Sequence, residues 1–118
     1  RTAFKFPSRI VVGVDGSDES LAAYEIAQAV AARFEARLDP ILASLEDDVD
    51  TEAIEKLVGR RVRSVFNLAA DALVAASADA DLVVLGSRGL HGIKSLGSVS
   101  ERVAHQAASS VLIVRAPS

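Results

Sequence analysis

Three short runs of this 118-residue sequence are apolar at consecutive positions rather than alternate ones: Ile10-Val11-Val12-Gly13-Val14, Leu82-Val83-Val84-Leu85 and Val111-Leu112-Ile113-Val114. A strand with one wetted face alternates apolar and polar residues, so a strand apolar throughout must be covered on both faces. The segments between these runs change period. Ala23, Ile26, Ala27, Val30 and Phe34 recur at helical spacing and predict a helix over about 18–36, with that set as its buried face. Ser17 stands before it as N-cap, and Asp18 and Glu19 place negative charge in its first turn. Leu38 to Ser44 reads as a second strand, with Pro40 marking a start or an irregularity. The acidic residues 46–50 read as a solvated loop. Glu52 to Val58 reads as a short helix closed by Gly59 as C-cap.

Further along, Val62 to Phe66 is a third strand and Leu68 to Ser77 a helix, and Asp81 to Gly86 contains the second of the apolar runs. Ser98 to Ala108 is a helix presenting Val99, Val103 and Ala107, and Val111 to Val114 is the final strand. Strands and helices thus alternate along the whole chain. This order predicts an α/β fold, a doubly wound parallel sheet with helices on both faces, in one domain spanning 1–118. Ligands of such sheets bind beyond the carboxyl ends of the strands, where the winding direction switches. The first and fourth strands end in the two most polar glycine-containing turns, Val14-Asp15-Gly16-Ser17 and Leu85-Gly86-Ser87-Arg88-Gly89.

Composition removes several classes of chemistry. There is no cysteine, which excludes disulfides, thiolate metal sites and cysteine nucleophiles and fits a reducing cytoplasm. A net charge of −3 supplies no general attraction to nucleic acid, so no nucleic-acid partner is expected. No apolar run approaches the roughly 20 residues that span a bilayer, and no membrane role is expected. The basic start Arg1-Thr2-Ala3-Phe4-Lys5 lacks the apolar stretch of a signal peptide.

Two turns can carry chemistry. The carboxylate of Asp15 can accept hydrogen bonds from an adenine amino group or a ribose hydroxyl, although Asp, Gly and Ser are also the ordinary residues of a βα turn. The stretch Gly86 to Gly97 is longer than the usual βα link, and its glycines at 86, 89, 92 and 97 let backbone N–H groups approach an anion. It leads into Ser98-Val99-Ser100-Glu101, where Ser98 and Glu101 match the S-x-x-E capping box and make Ser98 the expected N-cap. The N–H groups of Val99 and Ser100 then lie at the positive end of a helix, beside two serine hydroxyls. Arg88 and Lys94 can offer charge to a phosphate or face solvent. Neither the P-loop pattern nor G-x-G-x-x-G is present. His91 and His105 lack partners at metal-ligand spacing, and no catalytic triad can be assembled.

Arg9 to Ser20, Ala78 to Ala107 and Ser109 to Pro117 together resemble the universal stress protein family. The resemblance implies a five-stranded parallel sheet in the order 3-2-1-4-5. It also implies the nucleotide motif G-x2-G-x9-G-[ST], matched by Gly86, Gly89, Gly97 and Ser98. On that basis Val14 and Asp15 would meet the adenosine part of ATP. Gly86, Arg88, Gly89, Gly97, Ser98, Val99 and Ser100 would surround its ribose and phosphates, with Mg²⁺ alongside. Seven residues rather than nine separate Gly89 from Gly97. Either the loop is tighter, drawing Gly97 and Ser98 away from the phosphates, or two residues are absent from this chain, which holds no methionine. The segment before the third helix also lacks the family's Gly-Asn/Asp-Pro. The resemblance implies a cytoplasmic, homodimeric regulator in stress response that binds ATP and hydrolyses it slowly at most, with Val111 to Val114 pairing across the dimer. A nucleotide-free interaction module of the same fold is the alternative.

Overall fold

The computed structural model describes residues 5–46, 50–87 and 98–115. Its elements alternate: β1 (Arg9–Gly13), α1 (Asp18–Phe34), β2 (Arg37–Ser44), α2 (Thr51–Val58), β3 (Arg63–Phe66), α3 (Ala69–Ser77), β4 (Leu82–Gly86), α4 (Ser98–Gln106) and β5 (Ser110–Val114). All four strand pairings are parallel, and the sheet order is β3-β2-β1-β4-β5, the expected 3-2-1-4-5 arrangement.

The continuous apolar runs sit where coverage is complete. Ile10, Val12 and Val14 of β1 and its exit join Leu82 and Val84 of β4 against α1, with Val58 of α2 in the same cluster. Val11, Val83 and Leu85 face the other way, against Ala70 and Leu73 of α3 and Val103 of α4. Each residue of β1 and β4 alternates between these two layers, which is why neither strand can carry a polar residue in its middle. Ile10, Val12, Val83 and Val84 are at most 1% exposed, and burial of each contributes about 1.5–3 kcal/mol. The edge strands differ: β5 leaves Leu112 and Ile113 exposed, and β3 leaves Phe66 exposed.

The buried face of α1 is rotated from the one its apolar spacing predicts. Ser20, Ala23, Tyr24, Ala27 and Ala31 are buried, whereas Ile26 and Phe34 are exposed. Small residues let the helix axis lie close to the sheet, so the alanine stripe, not the bulkier one, turns inward. Ser17 caps the helix as expected, accepting the N–H of Ser20, and the helix stops where Glu35 takes a left-handed conformation at φ 55°. Gly59 closes α2 in the left-handed region, also as expected.

Pro40 is not the start of β2 but lies inside it, opposite Val12. Ile41 turns its carbonyl to β1, where it accepts the N–H of Val14, so the adjacent Pro40 faces the opposite side. There β3 pairs only from Ile41 onward, and the missing N–H of proline breaks no ladder. The start of α4 also differs by one position. Ser98, expected as the N-cap, is itself the first helical residue.

Candidate functional site

A cavity of about 620 Å³ opens beyond the carboxyl ends of β1, β2 and β4. β1 pairs with β2 on one side and β4 on the other, so the chain winds outward in two directions from this point, the switch position of a doubly wound sheet. One wall is the β1 exit, the β4 exit and the first turn of α4. The other is made by the end of β2 with Leu45, by Ile54 of α2 and by Leu68 ahead of α3, with Leu73 between.

The first wall is held by hydrogen bonds. Asp15 Oδ1 accepts the N–H of Ser17 at 2.9 Å, and the N–H of Asp15 donates to Ser20 Oγ at 3.1 Å. The Ser20 hydroxyl in turn donates to the Ser17 carbonyl at 3.1 Å, and the N–H of Ser20 donates to Ser17 Oγ at 3.1 Å. This places a turn and a helix cap in one small network, with Gly16 in the left-handed region at φ 85° where a side chain would be strained. Across from it, Ser87 donates its N–H to the Val114 carbonyl at 2.8 Å and its hydroxyl to Glu19 Oε1 at 2.6 Å. Gly86 permits this closeness. A Cβ on Gly86 would stand 2.8 Å from the Glu19 carbonyl carbon and 2.9 Å from its oxygen.

Of the residues selected from sequence, Val14, Asp15, Gly86, Val99 and Ser100 all line this single cavity. Ser98 is exposed, stands at the first position of α4 and is not part of the lining. Arg88, Gly89 and Gly97 lie outside the described residues, as do His91 and Lys94. His105 is exposed on α4. Ser100 is 5% exposed at the cavity wall, in the first turn of α4, where helix N–H groups lack helical partners. The N-terminus of α3 also reaches the cavity through Ala69, and its N-cap Leu68 makes no side-chain capping bond.

Sequence reasoning did not single out the apolar wall. Leu45 and Leu68 are each 52% exposed, and both line the cavity with Ile54. Their signal was a large apolar residue one or two positions beyond a strand end, where polar turn residues are usual. Such a wall suits a flat apolar surface such as a nucleobase. Among the described lining residues the ionisable groups are three carboxylates: Asp15, Glu46 and Asp50. Asp50 is occupied in part as the α2 cap, accepting the N–H of Ala53 at 3.0 Å. No group of three or more metal-ligating side chains occurs among the described residues. No helix among them is long and apolar enough to cross a membrane.

A doubly wound α/β sheet with a cleft at its switch point defines the class of protein. The family model described as the universal stress protein family matches residues 44–115. A universal stress protein solved in complex with cAMP is 34% identical, with a TM-score of 0.80 over 94% of this chain and 98% of that one. UspA from Lactobacillus plantarum superposes with a TM-score of 0.73 at 19% identity, covering 96% of this chain and 100% of the other. The universal stress protein of Archaeoglobus fulgidus in complex with dAMP gives a TM-score of 0.63 at 21% identity, over 91% and 97%. Comparison with curated proteins returned no match. The chain belongs to the universal stress protein family.

Proposed function

We propose that this chain binds an adenine nucleotide in the cleft between Asp15 and Ser100 and acts as a nucleotide-dependent regulator. The observation that carries the reading is convergence. Asp15, Gly86, Val99 and Ser100 are separated by up to 85 positions in sequence and line one cavity. The cAMP complex of the 34% identical relative supports the same ligand class. In this reading the base lies against Leu45, Ile54 and Leu68, Asp15 accepts hydrogen bonds from the adenosine part, and the first turn of α4 receives a phosphate. ATP is the ligand that the glycine motif implies. With three carboxylates in the wall, its triphosphate binds better as the Mg²⁺ complex than bare.

Calorimetric titration with AMP, cAMP and ATP, with and without Mg²⁺, tests the proposal. Saturable binding supports it, and no binding of any of them at millimolar concentration overturns it. The second reading, a nucleotide-free module, is favoured by the shorter Gly89–Gly97 spacing and is the outcome of that negative result. A homodimer in a cytoplasmic setting belongs to the same proposal. The partner strand would add to the edge of β5, where Leu112 is 38% and Ile113 42% exposed. Ile113→Lys should convert a dimer to a monomer in light scattering, and a wild-type monomer would remove this part of the reading.

A further inference from the structure

One buried ionisable side chain has no part in the reading above. Glu19 is 5% exposed, in the first turn of α1, and it does not line the cleft. Burying a carboxylate costs several kcal/mol unless it is well hydrogen-bonded, so its retention needs a reason. Its Oε1 accepts the hydroxyl of Ser87, itself 6% exposed, at 2.6 Å across 68 positions of sequence. That length lies in the range of charge-assisted O–H···O⁻ bonds, which are about twice as strong as neutral ones. The adjacent Gly86 has its backbone against that of Glu19, so the carboxylate reaches Ser87 with no side chain between.

We infer that Glu19 and Ser87 form a latch that positions the exit of β4 for the phosphate side of the bound nucleotide. The latch joins the two halves of the polar wall. Glu19 lies between Ser17 and Ser20, whose network holds Asp15, and Ser87 lies directly before Arg88 and Gly89 of the motif. The position of Ser87 at the end of β4 is therefore set by a side chain on α1, together with the bond from Ser87 N–H to the Val114 carbonyl. The apolar wall of Leu45, Ile54 and Leu68 is not part of this linkage. Glu19 and Ser87 are thus positioning residues, and the latch discriminates between ligands by their phosphate and not by their base.

This inference rests on the nucleotide reading, and the experiment separates the two. Affinities for adenosine and AMP are measured for wild type, Ser87→Ala, Glu19→Gln, the double variant and Ser87→Thr, well below each unfolding midpoint. Ser87→Ala removes the donor and should weaken AMP about tenfold, while Glu19→Gln, whose amide oxygen still accepts the hydroxyl but without charge, should weaken it severalfold, each leaving adenosine within about twofold. The double variant should be no worse than Ser87→Ala alone, because the charge of Glu19 acts on AMP through the Ser87 hydroxyl, which that variant already lacks. Ser87→Thr keeps the hydroxyl and should restore AMP binding. Equal weakening of adenosine and AMP, or additive single effects, would make the pair merely structural and overturn the latch. Should Ser87→Ala fail to fold, Glu19→Gln, which keeps the side-chain shape, decides by the same ratio. Failure of the wild type to bind either ligand overturns the nucleotide reading and the latch with it, a result visible before any variant is made.

Discussion

On one side of the cleft, the Asp15–Ser20 turn and the exit of β4 are cross-linked by bonds from Ser17, Ser20 and Ser87 at 2.6–3.1 Å. On the other side, Leu45 and Leu68 stand half-exposed and line the cleft with the apolar residues Ile54 and Leu73, through side chains that have no group to hydrogen-bond. Directional bonds hold the first wall to tenths of an ångström, which suits atoms that must be hydrogen-bonded at set positions. Dispersion is non-directional, so the second wall offers apolar area to a ring with little demand on its orientation. The difference also predicts where the protein tolerates change. Alteration of the bonded wall should be felt in stability, and alteration of the apolar wall chiefly in affinity.

The sharpest break in that comparison is Gly86→Ala. The added Cβ would meet Glu19 backbone atoms at 2.8–2.9 Å, and a helix backbone cannot swing aside as a side-chain tip can. We expect a loss of about 2–3 kcal/mol in urea unfolding, the upper part of the overpacking range. Ser17→Ala removes the α1 cap and one node of the Asp15 network, and should cost about 1 kcal/mol in the same assay. Gly13→Ala is the control that separates backbone from side-chain resistance. Its Cβ would meet the Leu73 side chain, with Cδ1 at 3.1 Å and Cδ2 at 3.5 Å, and no backbone atom among its three nearest neighbours, so the loss should stay below about 1 kcal/mol. A loss as large as that of Gly86→Ala would mean the Leu73 side chain is as unyielding as the bonded wall. Smallest in stability is Leu68→Ala, within about 0.5 kcal/mol because the side chain is 52% exposed. It should still weaken AMP and adenosine alike, severalfold, in the titration that reads the latch. Loss of AMP binding alone would show that the apolar wall also orders the phosphate.

Much of the fold was legible because burial on both faces leaves a strong trace. β1 and β4 could be drawn within a residue or so of their observed limits from Ile10–Val14 and Asp81–Gly86 alone, since a strand sealed on both sides tolerates no polar residue in its middle. Caps were equally readable at Ser17 and Gly59, where local chemistry decides. The buried face of α1 was not. Its periodicity fits two neighbouring stripes, and the choice between Ile26 and Tyr24 depends on how close the helix lies to the sheet. The site divides in the same way. Asp15, Gly86, Val99 and Ser100 carry the residue types of turns and helix starts and can be selected by eye, whereas Leu45, Ile54 and Leu68 look like ordinary apolar residues until three separate elements bring them to one wall.

From its residues alone, then, the chain specifies the alternation of strands and helices, the sealed strands at the centre and the polar turns at their ends, because these follow from periodicity and local hydrogen bonding. Only the tertiary structure decides that Gly86 is a packing position against Glu19 as well as a cleft residue, and that a buried carboxylate of α1 reaches a serine 68 positions away. The reason is physical. A periodic pattern says which side of an element is apolar, but a close approach between two backbones exists only when both elements are docked, and no local segment contains it.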